Sequence, residues 1–432
     1  MKNFNDEYQK KLVSVETALS HIPSGSCIAS AMCAMEPQTL LSQLHTVAQR
    51  GDNFRVITGL VLGKYPFMQD PEYKHAFKVE DSFFMGAARN SYQSGIASYS
   101  PCNLHSFSSR LFDKTVPNVA LLSASEMDKD GYFSCSLCSI YEQELVERAD
   151  LVILEVNSNM PVVYGDTHIH IRDVDFLIET NTPVPQLQKG IPTEEDKKIG
   201  AYIADLVHDG DTIQLGIGGI PDAVAQFLMD KKELGVHTEM LTNSIVDLVE
   251  AGVITNQRKT LNKGKMIATF AFGNEALYRM MDRNPSVELL RASYVNDPFV
   301  IAQNDNMVSI NTCIAADLTG QVASETLGFR QYSGSGGQSD TAFGATHAKN
   351  GRSIIALHST AKQGAVSTIS AMLPTGSVVT LSRNVVDYIV TEYGVAAMRG
   401  RSIRERVENL IAVAHPDFRK QLRADAEACM FI

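Results

Sequence analysis

A carboxylate at the end of an apolar strand needs a reason to be there, and Glu239 occupies such a position. In GVHTEMLTNSIVDLVEAGVITN (235–256), Val236 to Met240 read as a short strand and Thr242 or Asn243 as the cap of the next helix. Ile245, Leu248 and Val249 give that helix a core stripe, and Gly252 can end it. A buried carboxylate must be ion-paired, hydrogen-bonded or functional, and on this segment alone a structural salt bridge and a nucleophile both fit Glu239. Three glycine-bearing or lysine-bearing segments bear on the choice. In QLGIGGIPDAVAQFL (214–228), a strand ends at Ile213 and Leu215, and Gly216, Gly218 and Gly219 make a tight loop. Pro221 suits the first turn of a helix packed through Val224, Phe227 and Leu228. Such a loop lets a ligand reach bare N–H groups at a positive helix end, although a plain turn uses the same residues. The nicotinamide-dinucleotide fingerprint fails, because Pro221 stands where its third glycine belongs. In GFRQYSGSGGQSDTAFGA (328–345), Gly334, Gly336 and Gly337 lie between buried elements, as in a backbone loop that approaches a ligand. In ALHSTAKQGAVSTISAMLP (356–374), Lys362 follows a buried strand at the end where α/β proteins bind ligands; a solvated surface lysine is the alternative.

Other chemistry-bearing residues carry less. His168 and His170 alternate in THIHIRD (167–173), but no third ligand stands at a persuasive spacing, so no metal site is expected. Cys135 and Cys138 form a C-x-x-C pair without a matching partner pair, since Cys27 and Cys33 have the wrong gap; inert thiols are the expectation. Tyr92 and Tyr99 fit either a pocket wall or core cover.

The elements that must position these residues are short apolar runs followed by turns and helical patterns. NFRVITGL (53–60), NVALLSAS (118–125), DLVILEVN (150–157), DTIQLGIG (211–218), SIIALHS (353–359) and SVVTLS (377–382) read as strands buried on both faces. Alternation with helices predicts two open, largely parallel-sheet α/β domains, and 432 residues suit two cores. NTPVPQLQKGIPTEEDKK (181–198), rich in proline and then charge, marks the boundary, giving domains 1–185 and 186–432. With 44% hydrophobic and 20% charged residues the chain is globular. A formal net charge of -11 without a basic tract argues against nucleic acid, and no apolar run is long enough to span a membrane. The polar start MKNFNDEYQKK and seven scattered cysteines predict a cytoplasmic protein with reduced thiols.

Taken in order, these segments resemble the acetyl-CoA hydrolase/transferase family, in its butyrate and 4-hydroxybutyrate CoA-transferase branch. The resemblance covers nearly the whole chain. It is carried by SEMDKDGYFSCS (125–136), EVNSNMPVVYGDTHIHIRDVD (155–175), GIGGIPDAV, GVHTEML, GSGGQ, STAKQG, SRNVVDYIVTEYGVAAMRGRSIRERV (382–407) and LIAVAHPDFR (410–419). It implies an active site between the two domains and a catalytic glutamate at Glu239. It further implies CoA-contacting positions at Gly216, Ile217, Gly218, Gly219, Ile220, Ile314, Gly336, Gly337 and Lys362. The expected reaction moves CoA between a short-chain acyl-CoA and a carboxylate acceptor, with CoA as substrate, no permanently bound cofactor and a homo-oligomeric enzyme. An acyl-CoA hydrolase using the same site and a non-catalytic acyl-CoA-binding protein are the rival readings. SDTAFGA (339–345) departs from the family pattern after GSGGQ, as do Cys33 and Met35 in SAMCAMEPQTL (30–40). The first departure bears on acyl or acceptor preference.

Overall fold

A computed structural model of the chain describes residues 4–114 and 116–432. They divide into two units, Met1–Leu187 with Ala268–Tyr294, and Gln188–Ile267 with Val295–Ile432. A continuous division at 185/186 omits the return of Ala268–Tyr294 to the first unit. That segment is tied there by backbone bonds, with Ser139 N donating to Thr269 O at 2.8 Å and Ala271 N to Leu137 O at 2.9 Å.

The first unit is built on seven parallel strands: β1 (Cys27–Ser30), β2 (Phe54–Thr58), β3 (Phe77–Asp81), β4 (Ala97–Tyr99), β5 (Val119–Ala124), β6 (Leu151–Asn157) and β7 (Phe176–Thr180). Their spatial order is β7-β6-β5-β1-β2-β3-β4. β5 is buried along its whole length, as its unbroken run of small and apolar residues requires.

The second unit opens with helix α1 (Glu194–Asp205), whose Thr193 and Asp196 form a reciprocal capping box. Its sheet contains β8 (Thr212–Leu215), β9 (Gly235–Val236), β10 (Met307–Thr312), β11 (Arg352–Ala356), β12 (Tyr388–Thr391) and β13 (Gly394–Ala397), ordered β9-β8-β10-β11-β12-β13. All neighbours are parallel except the last hairpin. Helices α2 (Gly219–Phe227), α3 (Asn243–Glu250), α4 (Gln338–His347), α5 (Ile403–Val413) and α6 (Pro416–Ala428) complete the unit as used below.

Three local expectations fail. Val236 to Met240 do not form one strand, since β9 ends at Val236 and strand pairing resumes only at Met240–Leu241. SVVTLS (377–382) forms no strand, since Val378 and Val379 are each 44% exposed and only Leu381 bridges, to Val322. The fifth parallel position is taken by β12, which has a partner on each side. Phe227 is also on the outer face of α2, whereas Ile220, Ala223 and Val224 are buried.

Candidate active site

In the second unit the strand order turns between β8 and β10, because the first crossover runs to β9 on one side and the later ones to the other. Ligands of open α/β sheets bind beyond the carboxyl ends of the strands at such a reversal. The glycine loop follows β8, Glu239 follows β9, Ile314 follows β10 and the 358–362 segment follows β11. The sequence motifs therefore gather at one edge of one sheet.

The chain around Glu239 is pinned on both sides. His237 N donates to Ile213 O at 3.2 Å and Thr238 N to Ile267 O at 3.0 Å. Buried Lys259 crosses Gly235 and donates to Val236 O and Lys265 O, both at 2.7 Å. A β-carbon at 235 would meet the lysine stem. The His237 ring is fully enclosed. Its Nε2 lies 2.8 Å from the carbonyl of Val295, an obligate acceptor, so Nε2 carries the proton and Nδ1 accepts from Asn304 Nδ2 at 3.4 Å. Burial, then Lys259, lowers its pKa to about 4.

The Glu239 carboxylate is half-buried and meets two donors, Asn296 Nδ2 at 3.3 Å from Oε2 and the backbone N–H of Gly337. Gly337 is the N-cap of α4, so the carboxylate sits at the positive end of that helix. Burial pushes its pKa up to about 7, and the charge of Asp340 raises it too; the bonds from Asn296 and Gly337 oppose them. None of these influences is a cation. Among the described residues no ion pair, the alternative open on sequence alone, holds Glu239.

A cavity of about 300 Å³ lies beside the glycine loop. Its walls are the 217–221 segment, Thr312 and Cys313 at the end of β10, residues 356–358 at the end of β11, and Asp196 of α1. Gly218 has φ +114°, a conformation suited to glycine. A β-carbon at Gly219 would meet Asp196 Oδ2 at 2.6 Å, so the loop rests against that carboxylate. The other oxygen, Oδ1, lies 2.8 Å from His358 Nε2.

Of the sequence-predicted residues, Ile217, Gly218, Gly219 and Ile220 line this cavity, and Gly216 begins the same loop. Gly337 touches Glu239, with Gly336 preceding it at φ +53°. Ile314 directly follows Cys313 and is tied by its N–H to Ala323 O at 3.0 Å. Lys362 is exposed in the turn of the Thr360–Ala361/Val366–Ser367 hairpin and is not among the residues lining this cavity. Asn296, Asp340, His237 and His358 went unnoticed in the sequence. His358 had a visible signal, since it ends the same apolar run that drew attention to Lys362; Asn296 had none.

Larger cavities of about 830 and 920 Å³ lie in the first unit and contain no predicted site residue. His170 is structural: it caps a short turn through Arg172 N and packs edge-on against Tyr132. Cys135 and Cys138 are buried, and burial pushes both thiols up. Among the described residues no three His, Cys, Asp or Glu side chains gather as a metal would need, and no helix is long and apolar enough to cross a membrane.

The second unit places a carboxylate held by backbone and amide donors beyond a strand end of a largely parallel sheet, and the comparisons identify the chain as a CoA-transferase. The chain belongs to the acetyl-CoA hydrolase/transferase family: residues 1–188 match its N-terminal domain and 273–426 its C-terminal domain. It is 44% identical over 419 residues to the 4-hydroxybutyrate coenzyme A transferase of Clostridium kluyveri, covering 96% of this chain and 97% of the relative. It is 35% identical to the butyryl-CoA:acetate CoA-transferase of Anaerostipes caccae, covering 98% of each. The crystal structure of RipA from Yersinia pestis superposes with a TM-score of 0.94 at 36% identity over the full length of both chains.

Proposed function

We propose that this enzyme moves CoA between a short-chain acyl-CoA (acetyl, butyryl or 4-hydroxybutyryl) and a carboxylate acceptor through a glutamyl-CoA thioester on Glu239. The acyl range follows the activities named for its relatives. The observation that carries the reading is a carboxylate held by hydrogen-bond donors and free of a cation at a strand end. A paired carboxylate has its lone pairs committed to a cation, whereas this one retains them for attack.

In the first step a Glu239 carboxylate oxygen attacks the thioester carbonyl, the C–S bond breaks, and CoA leaves as thiolate from a mixed anhydride. The thiolate then attacks the glutamyl carbonyl, the anhydride C–O bond breaks, and the acyl group departs as its free carboxylate. An acceptor carboxylate reverses both steps, releasing the new acyl-CoA and regenerating Glu239. No proton is gained or lost overall, and dividing the exchange keeps each barrier low. The oxyanions call for fixed N–H donors, which the 216–220 loop and the Gly336–Gly337 turn can supply. Gly216, Ile217, Gly218, Gly219 and Ile220, with Ile314, Gly336, Gly337 and Lys362, form the CoA-binding side of this reading.

Mass spectrometry of the protein after mixing with acetyl-CoA and no acceptor tests it. The expected product is a CoA adduct on the peptide bearing Glu239, absent in Glu239→Gln, which also loses transfer. Full-rate transfer by Glu239→Gln, with deamidation excluded, would sink the proposal. CoA release that needs no carboxylate acceptor would instead identify a hydrolase.

A further inference from the structure

CoA carries several negative charges on its phosphates, and this chain carries a formal net charge of -11, so a side chain able to hold a phosphate beside the N–H groups of the glycine loop would favour binding. Among the described residues lining the cavity beside the glycine loop, His358 is the one basic side chain; the others are small, apolar or hydroxyl- and thiol-bearing, apart from acidic Asp196. Asp196 is 4% exposed and its carboxylate is already organised by the Thr193 N–H and hydroxyl, both at 2.9 Å. The same carboxylate supports Gly219 on one wall and holds His358 Nε2 on the other. One buried carboxylate therefore sets the spacing of both walls and holds the imidazole at the edge of the cavity.

The His358 backbone is equally fixed. Its carbonyl accepts from Thr368 Oγ1 at 2.6 Å, and the next residue, Ser359, donates twice to Glu392, from N at 2.9 Å and Oγ at 2.6 Å. The ring remains partly exposed, with a side-chain exposure of 44%, and among the described residues Nε2 alone is bonded, leaving Nδ1 open to a ligand. Rigid backbone, a committed Nε2 and an exposed Nδ1 are the properties of a recognition group rather than of a core histidine.

We propose that His358, held by Asp196, recognises a phosphate group of the CoA substrate across the cavity from the 217–219 loop. The inference rests on the acyl-CoA reading above. Pyrophosphate and 3′-phosphate share the chemistry, and substrate fragments separate them. Initial rates of His358→Ala would be measured with acetyl-CoA, 3′-dephospho-acetyl-CoA and acetyl-pantetheine, using butyrate as acceptor. With acetyl-CoA the KM is expected to rise about tenfold at nearly constant kcat, the loss of one charge-assisted hydrogen bond. With acetyl-pantetheine, which has no phosphate, the variant and the wild type should share one KM. A penalty kept with the dephospho substrate assigns the pyrophosphate; a penalty lost with it assigns the 3′-phosphate.

Asp196→Asn should raise the acetyl-CoA KM in the same direction by a smaller factor, and His358→Gln serves if the alanine variant does not fold. A KM for acetyl-CoA unchanged in His358→Ala, or raised equally for acetyl-pantetheine, overturns the inference. Wild-type protein without turnover on any acyl-CoA would instead overturn the function on which it rests.

Discussion

Gly337 meets Glu239 so closely that a β-carbon on the glycine would overlap Glu239 Oε2 and Asn296 Nδ2. The contact joins the N-cap of α4 to the segment following β9, and it gives the carboxylate a backbone donor that no side-chain exchange can imitate. Gly337 also lacks a positive φ, so the requirement for glycine there is one of space rather than of backbone conformation.

Gly337→Ala should therefore cripple turnover while leaving the fold in place. Displacing Glu239 and one N–H donor is expected to lower kcat about 100-fold, the usual scale for an oxyanion-type donor. Steady-state kinetics beside a thermal melt checks this. A variant with near-normal kcat and a normal melt would show that the donor is dispensable.

The groups around Glu239 predict opposite pH shifts for two variants. Free Glu239 is raised to about 7 by burial and then by Asp340, so kcat/KM should climb as pH rises through 7 and the nucleophile ionises. Asp340→Asn removes a like charge and should move that limb to lower pH. Asn296→Ala removes a donor to the ionised form and should move it to higher pH. Shifts in the same direction for both variants would contradict this electrostatic account.

His237 should be a stability residue with a defined pH window. Its folded pKa, lowered to about 4 by burial and Lys259, lies below the ordinary 6.5. The stability it contributes is full above 6.5 and is lost as pH falls through 4, because the unfolded chain binds the proton more readily. His237→Phe should destabilise the protein at pH 7.5 by about 2 kcal/mol, leaving the Val295 carbonyl and Asn304 without the ring as partner. Its deficit against the wild type should shrink toward pH 5. Denaturant midpoints at both pH values provide the measurement, and a deficit that grows on acidification would refute the neutral-ring assignment.

Much of the site was legible because its signals are local. A glycine turn between an apolar strand and an amphipathic helix, as in 214–228, is encoded within a few residues, and it folded as read apart from Phe227. SVVTLS (377–382) shows the limit of such signals. Its apolar run matches β11 in character, yet a strand also needs a free neighbour to bond, and the sheet filled that place with β12.

The sequence by itself determined the parallel α/β class, the strands β2, β5, β6, β8 and β11 to within a few residues, and the loops that gather at a carboxyl edge, since each follows from periodicity and turn chemistry over short stretches. It left open whether Glu239 was ion-paired or held by hydrogen bonds. Only the tertiary structure decided that, by bringing Asn296 from 57 residues away and Gly337 from beyond β10. Asp196 and His358 meet across 162 residues for the same reason. Contacts between distant segments are fixed by packing of whole elements, and no local pattern carries them.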